Sequence, residues 1–193
     1  MRRVRRHNRR MIASAPFPAR YVALLRGINV GGHRRVGMLA LANVFSRLGY
    51  EGVQTCVQSG NVVFRAYVAD GAEIEAAIET HFGFPVQVAL RTGAEWARAI
   101  AGNPYPQQAA ADGSEVHLAL LSAELDAEGV ASLQAVPRGR DNWHLDGRNL
   151  YLDLPNGAGR TRLDHGTLER RLAVGVTIRN WKTVETLGKL LNA

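Results

Sequence analysis

VQTCVQSGNVVFR (Val53–Arg65) decides how this chain is read. Two β-branched runs, Val53–Gln58 and Val62–Arg65, flank Ser59-Gly60-Asn61, and Gly and Asn supply the positive φ that a tight hairpin turn needs. A hairpin gives two neighbouring antiparallel strands, so the elements on either side of it fix the topology. Upstream, Tyr21–Arg26 reads as a buried strand. Met38–Leu48 follows, with Met38, Leu41, Ala42, Phe45 and Leu48 on one helical face and Gly49 as its stop. Downstream, Asp70 and Glu73 have the spacing of a capping box before a helix with Ile74, Ile78 and Phe82 inward, and Val86–Leu90 closes the unit as a strand. The order β-α-β-β-α-β is the split βαβ arrangement of ferredoxin-like domains.

The same order recurs. Thr92 and Glu95 cap a connecting helix, Glu115–Leu121 reads as a strand, and Ser122 opens a helix reaching about Ala135. Asn142–Leu145 and Asn149–Leu154 alternate around Asp146-Gly147-Arg148, a second hairpin. Asp164 starts a helix carrying Leu168 and Leu172, stopped by Gly175; Val176–Ile178 is a short strand, and Asn180 caps a terminal helix with Val184, Leu187 and Leu191 apolar. The halves repeat in order, not in letters. The expectation is an α+β fold of two tandem ferredoxin-like units, 21–102 and 113–193, with a connecting helix and a C-terminal helix, able to pack as one compact body. The boundary falls in Gly102–Gly113, where Asn-Pro-Tyr-Pro and an Ala/Gln stretch break the periodicity.

The composition, 46% hydrophobic and 21% charged over 193 residues, is that of an ordinary globular protein, and no apolar run reaches the length of a membrane span. The net charge of +7 resembles a nucleic-acid signature until the charges are located. Seven of the 24 basic residues and none of the 17 acidic ones precede Tyr21, which leaves 17 against 17 from there on. The first twenty residues lack the apolar core of a secretory signal and hold one serine, few for a transit peptide; they read as a disordered basic tail, with Met11 or a later codon as an alternative start. A single cysteine, Cys56, excludes an internal disulfide and points to a reducing compartment, the cytoplasm.

Catalytic and metal signatures are scarce. The six histidines have no zinc-ligand spacing, Cys56 reads as a buried inert thiol, and neither a Gly-x-Ser-x-Gly elbow nor a phosphate-binding Gly-Lys-Ser/Thr sequence is present, so no cofactor is expected. What recurs is arginine in loops that lead into helices: Arg34 and Arg35 after Gly31 and Gly32, Arg160 and Arg162 before Asp164, Arg179 before Asn180. A cation at a helix N-terminus opposes the macrodipole unless an anion or an acidic side chain sits beside it. Solvation, or pairing with acids such as Glu51, Asp153 or Asp164, is the competing explanation. Ser59 and Asn61 are accounted for by the turn, although such a turn can also present amides to a ligand. Trp181 is read as core, with stacking on a base as the alternative.

LRGINVGG (Leu25–Gly32), QSGNVVF (Gln58–Phe64), NPYP (Asn103–Pro106), LYLDLPNGAGRTRL (Leu150–Leu163) and TIRNWKTV (Thr177–Val184) together resemble the bacterial family catalogued as domain of unknown function 1697. The resemblance spans about Tyr21 to Leu191. It implies an α+β protein of two similar halves and no established reaction, substrate or cofactor. Arg34 stands where asparagine or another polar residue is common, Thr161-Arg162 replaces Ser-Lys, and Ile178 replaces a threonine.

The leading expectation is an arginine-lined cleft that binds a phosphate-bearing ligand, a nucleotide or single-stranded nucleic acid. Arg26, Gly31, Gly32, Ser59, Asn61, Arg160, Arg162, Arg179 and Asn180 would be its charge and amide donors. Against nucleic acid stand the neutral body and the missing aromatic signature on the sheet face. The alternatives are an enzyme acting on a phosphorylated or carboxylated small molecule, with His33 or His165 as base, and a protein–protein adaptor.

Overall fold

Apolar residues pointing both ways along the first strand, β1 (Ala19–Leu25), put it in the middle of a sheet covered on both faces: Val22 and Leu24 enter one core, Ala23 and Leu25 another. The computed structural model describes residues 17–29, 34–56 and 60–193. Gly31, Gly32, His33 and Ser59, and the tail before residue 17, lie outside the described residues.

After β1 come α1 (Met38–Arg47), β2 (Glu51–Cys56), β3 (Asn61–Ala66), α2 (Gly71–Phe82), β4 (Val88–Thr92) and α3 (Gly93–Ala101). A short helix, α4 (Pro106–Ala111), leads to β5 (Val116–Leu121), α5 (Ala127–Gln134), β6 (Asn142–Asp146), β7 (Asn149–Asp153), α6 (His165–Leu172), β8 (Val176–Asn180) and α7 (Trp181–Asn192). The strands form two antiparallel four-stranded sheets of the same topology, β2-β3-β1-β4 and β6-β7-β5-β8. This is the α+β architecture of two ferredoxin-like units.

Each unit covers its outer sheet face with two helices. Leu41, Phe45, Ile74 and Ile78 of α1 and α2 pack on the first sheet; Leu133, Leu168 and Leu172 of α5 and α6 pack on the second. A third core joins the two inner faces to the remaining long helices, through Trp96 of α3 and Trp181, Val184, Leu187 and Leu191 of α7. Both units therefore contribute to one central apolar layer, and Cys56 is buried in it with its thiol pKa pushed up by desolvation.

The caps follow the sequence closely. Thr92 and Glu95 complete a reciprocal capping box, and Asp70, Asp164 and Asn180 accept from backbone amides at the starts of α2, α6 and α7. Two expectations differ. Ser122 does not open α5, because its hydroxyl accepts from the Gly175 amide at 2.9 Å; the helix begins after Asp126, which caps Gly129 at 2.8 Å. The connecting segment is not a plain break, since Pro106, with φ preset and no amide to satisfy, starts α4.

Candidate anion-binding site

Arg179 lies on β8 and faces inward. Its Nε donates to Asn61 Oδ1 at 2.7 Å, Nη1 to the Ile178 carbonyl at 2.9 Å and Nη2 to the Leu25 carbonyl at 2.9 Å, so it ties β8 of one unit to β1 and β3 of the other. Desolvation pulls its pKa down to about 10, which leaves it charged at neutral pH. Asn61 also donates from Nδ2 to the Cys56 carbonyl, and Asn180 is occupied as the cap of α7, accepting from the Thr183 amide and hydroxyl.

Arg91 performs the reciprocal act. It is 6% exposed, donates to the Leu90 carbonyl at 2.9 Å and reaches Leu121 of the other unit at 3.0 Å. Burial first, and the neighbouring Arg148 charge second, bring its pKa to about 10 against the pull of Glu95. Arg91 pairs with Val22 across β4 and β1 as Arg179 pairs with Leu118 across β8 and β5, and each immediately precedes a helix cap, Thr92 or Asn180. The acceptors, Leu25 and Leu121, are the last residues of β1 and β5. The sequence reading singled out Arg179 and missed Arg91; aligning the halves on their cap residues would have matched the two.

Arg26 is engaged by Glu169 in an ion pair and by Gln87. The other oxygen of Glu169 accepts from the Val176 amide at 2.9 Å, as Glu75 accepts from Val88 in the first unit. His165 Nδ1 lies 3.7 Å from the same carboxylate. Trp181 is buried in the central core. Thus Arg26, Asn61 and Arg179 bridge the two units, and Asn180 caps α7.

Arg160 and Arg162 stand elsewhere, on the loop between β7 and α6. With Arg138 and Arg140, from the loop between α5 and β6, they line a depression of about 430 Å³. All four are exposed, and among the described residues none is ion-paired with a carboxylate. The one acid in the lining, Asp141, is buried and accepts from Thr161 Oγ1 at 2.6 Å, while Thr161 in turn accepts from the Leu163 amide. That latch fastens the two loops to each other. Gly157, at φ 79°, makes the turn that returns the second loop, closed by the Arg160 amide on the Gly157 carbonyl at 3.1 Å. Arg138 also lies over the Trp143 ring, 5.4 Å from its centroid. Arg138 and Arg140 were not singled out in the sequence, because they do not precede a helix; the short spacing Arg-Gly-Arg was their only signal.

Comparison with known proteins gives the family and the fold. The family described as "Protein of unknown function (DUF1697)" matches residues 19–151, ending within β7 and short of Arg160 and Arg162. A conserved bacterial protein from Streptococcus pneumoniae superposes with a TM-score of 0.72 at 24% identity, over 90% of this chain and 99% of that one, a likeness of fold. An unknown protein from Galdieria sulphuraria, at 12% identity over 84% of this chain and 98% of that one, reaches a TM-score of only 0.24 and bears on nothing here. No curated protein matches the sequence. Among the described residues, no helix is long and apolar enough to cross a membrane.

Proposed function

The chain belongs to the DUF1697 family of proteins of unknown function, and from that premise we propose that it binds a small phosphate-bearing ligand in the depression lined by Arg138, Arg140, Arg160 and Arg162. One observation carries this reading: four arginines on two latched loops line one depression, and among the described residues none of them is ion-paired with a carboxylate. Like charges held on two latched loops repel each other, and an anion among them relieves the repulsion and accepts charge-assisted hydrogen bonds. Arginine is suited to this, since its planar fork matches the oxygens of a phosphate.

The size of the partner follows from the charge count. From Tyr21 onward basic and acidic residues balance, so the basin is a local excess on a neutral body and not part of a track for a long polyanion. A nucleotide or another short polyphosphate fits that arrangement better than a nucleic-acid strand.

Calorimetric titration of the full chain with pyrophosphate tests the reading. The native protein should bind, with affinity falling as salt rises, and Arg160→Gln combined with Arg162→Gln should weaken binding at least about tenfold, the scale of one lost charge-assisted hydrogen bond. Absence of binding by the native chain, or equal binding by the variant, removes the basin from consideration.

A further inference from the structure

We infer that Trp143 is the platform for the base of a nucleotide whose phosphates occupy the arginine basin, an inference that rests on the phosphate reading above. Arg138 is the link between the two. It lines the basin, and its guanidinium also covers the Trp143 ring at 5.4 Å. Trp143 lies on β6 two residues after Asp141, whose carboxylate latches the two arginine loops, so the ring and the basin share one rigid support.

The ring is held in place without being spent. Trp143 is half-buried and packs against the outer core of the second sheet, opposite Leu152 of β7. Its indole N–H is buried and has no hydrogen-bond partner among the described residues. The other two tryptophans are consumed by the central core: Trp96 donates to the Val184 carbonyl at 3.1 Å, and Trp181 is 3% exposed. Trp143 is therefore the tryptophan covered by a movable, solvent-exposed side chain.

A phosphate group in the basin offers Arg138 a stronger partner than the ring, because a charge-assisted hydrogen bond outweighs an exposed cation–π contact. Once Arg138 turns toward the phosphate, the indole face it leaves is available to a base. Stacking of a base on an aromatic side chain is in turn stronger than the contact it replaces, and every base has a suitable face. The ligand class is thus a nucleoside di- or triphosphate with little discrimination among bases, in preference to a sugar phosphate or inorganic polyphosphate.

The test compares ADP with pyrophosphate on the full chain, native and Trp143→Leu, with folding of the variant checked by circular dichroism. The inference expects ADP to bind about tenfold more tightly than pyrophosphate, with that preference lost in Trp143→Leu while pyrophosphate affinity is kept. Equal affinities of the native chain for the two ligands would overturn the base platform and leave the basin standing. A native chain that binds neither would overturn the basin and the platform together. If Trp143→Leu does not fold, Trp143→Phe replaces it; a preference undiminished in that variant, with ADP causing no change in native tryptophan emission, would overturn the inference.

Discussion

Tyr151 sits on β7 with its ring fully buried in the central core and its hydroxyl donating to the Ala99 carbonyl at 2.9 Å. Burial, helped by the Asp146 charge, pushes its pKa up from the usual 10 to about 12. In the unfolded chain the phenol ionises near pH 10, so between about pH 10 and 12 the unfolded state holds fewer protons and stability falls as pH rises. Tyr151→Phe should show a shallower alkaline loss than the native chain in denaturant titrations across that window, together with a cost of about 1 kcal/mol at neutral pH for the lost hydrogen bond. The comparison cancels Arg91 and Arg179, whose lowered values act in the opposite sense. At this scale the sequence was legible for chemistry and silent about partners. It grouped Arg26, Arg160 and Arg179 alike as donors of one arginine-lined cleft. Only folding separates Arg26, which meets Glu169, and Arg179, which meets two carbonyls and Asn61, from Arg160 in its open basin.

Gly60, at the end of the β2–β3 connection, explains why an element can depend on a missing side chain. Its φ is 71°, and a Cβ there would lie 2.5 Å from Ile28 Cδ1 and 2.9 Å from Leu25 Cβ. Ile28 can move its terminal methyl; the Cβ of Leu25 is fixed to a central strand. Gly60→Ala should therefore destabilise the protein by about 2 kcal/mol or more, from positive-φ strain added to overpacking, as read from the denaturant midpoint. Helix starts were the most legible elements, since Asp70, Thr92, Asp164 and Asn180 bond to amides within three residues and need no distant partner. Ser122 shows the limit: its hydroxyl is drawn to Gly175, 53 positions away, and the helix waits for Asp126.

At the scale of the molecule, the central core draws on both sheets, α3 and α7, so neither unit can bury its inner face alone. Heating or denaturant should accordingly give one cooperative transition, not two. Arg91→Ala and Arg179→Ala should each lower the stability of the whole chain by about 2–4 kcal/mol, because each leaves a carbonyl of the other unit without its donor. Two resolved transitions in the native chain, or a variant that weakens only one of two, would show that the units are independent. The duplication could be read from the order of elements, whereas the exchange of arginines could not, because the acceptors are backbone atoms that no residue type announces.

That exchange also bears on the open ends of the two sheets. β4 and β8 end their sheets on one side, and an exposed sheet end is a template onto which a foreign strand can add. Here each of the two strands carries an inward guanidinium that already reaches across to the neighbouring unit. At β4 the Val88 amide is also held by Glu75 and the Leu90 carbonyl by Arg91, and at β8 the Val176 amide by Glu169 and the Ile178 carbonyl by Arg179. The remaining ends are less inviting: β2 breaks register between Glu51 and Gln54, and β6 alternates exposed polar residues with half-buried ones. The same two arginines that join the halves thus also occupy one carbonyl on each of these end strands, leaving fewer acceptors for an incoming strand.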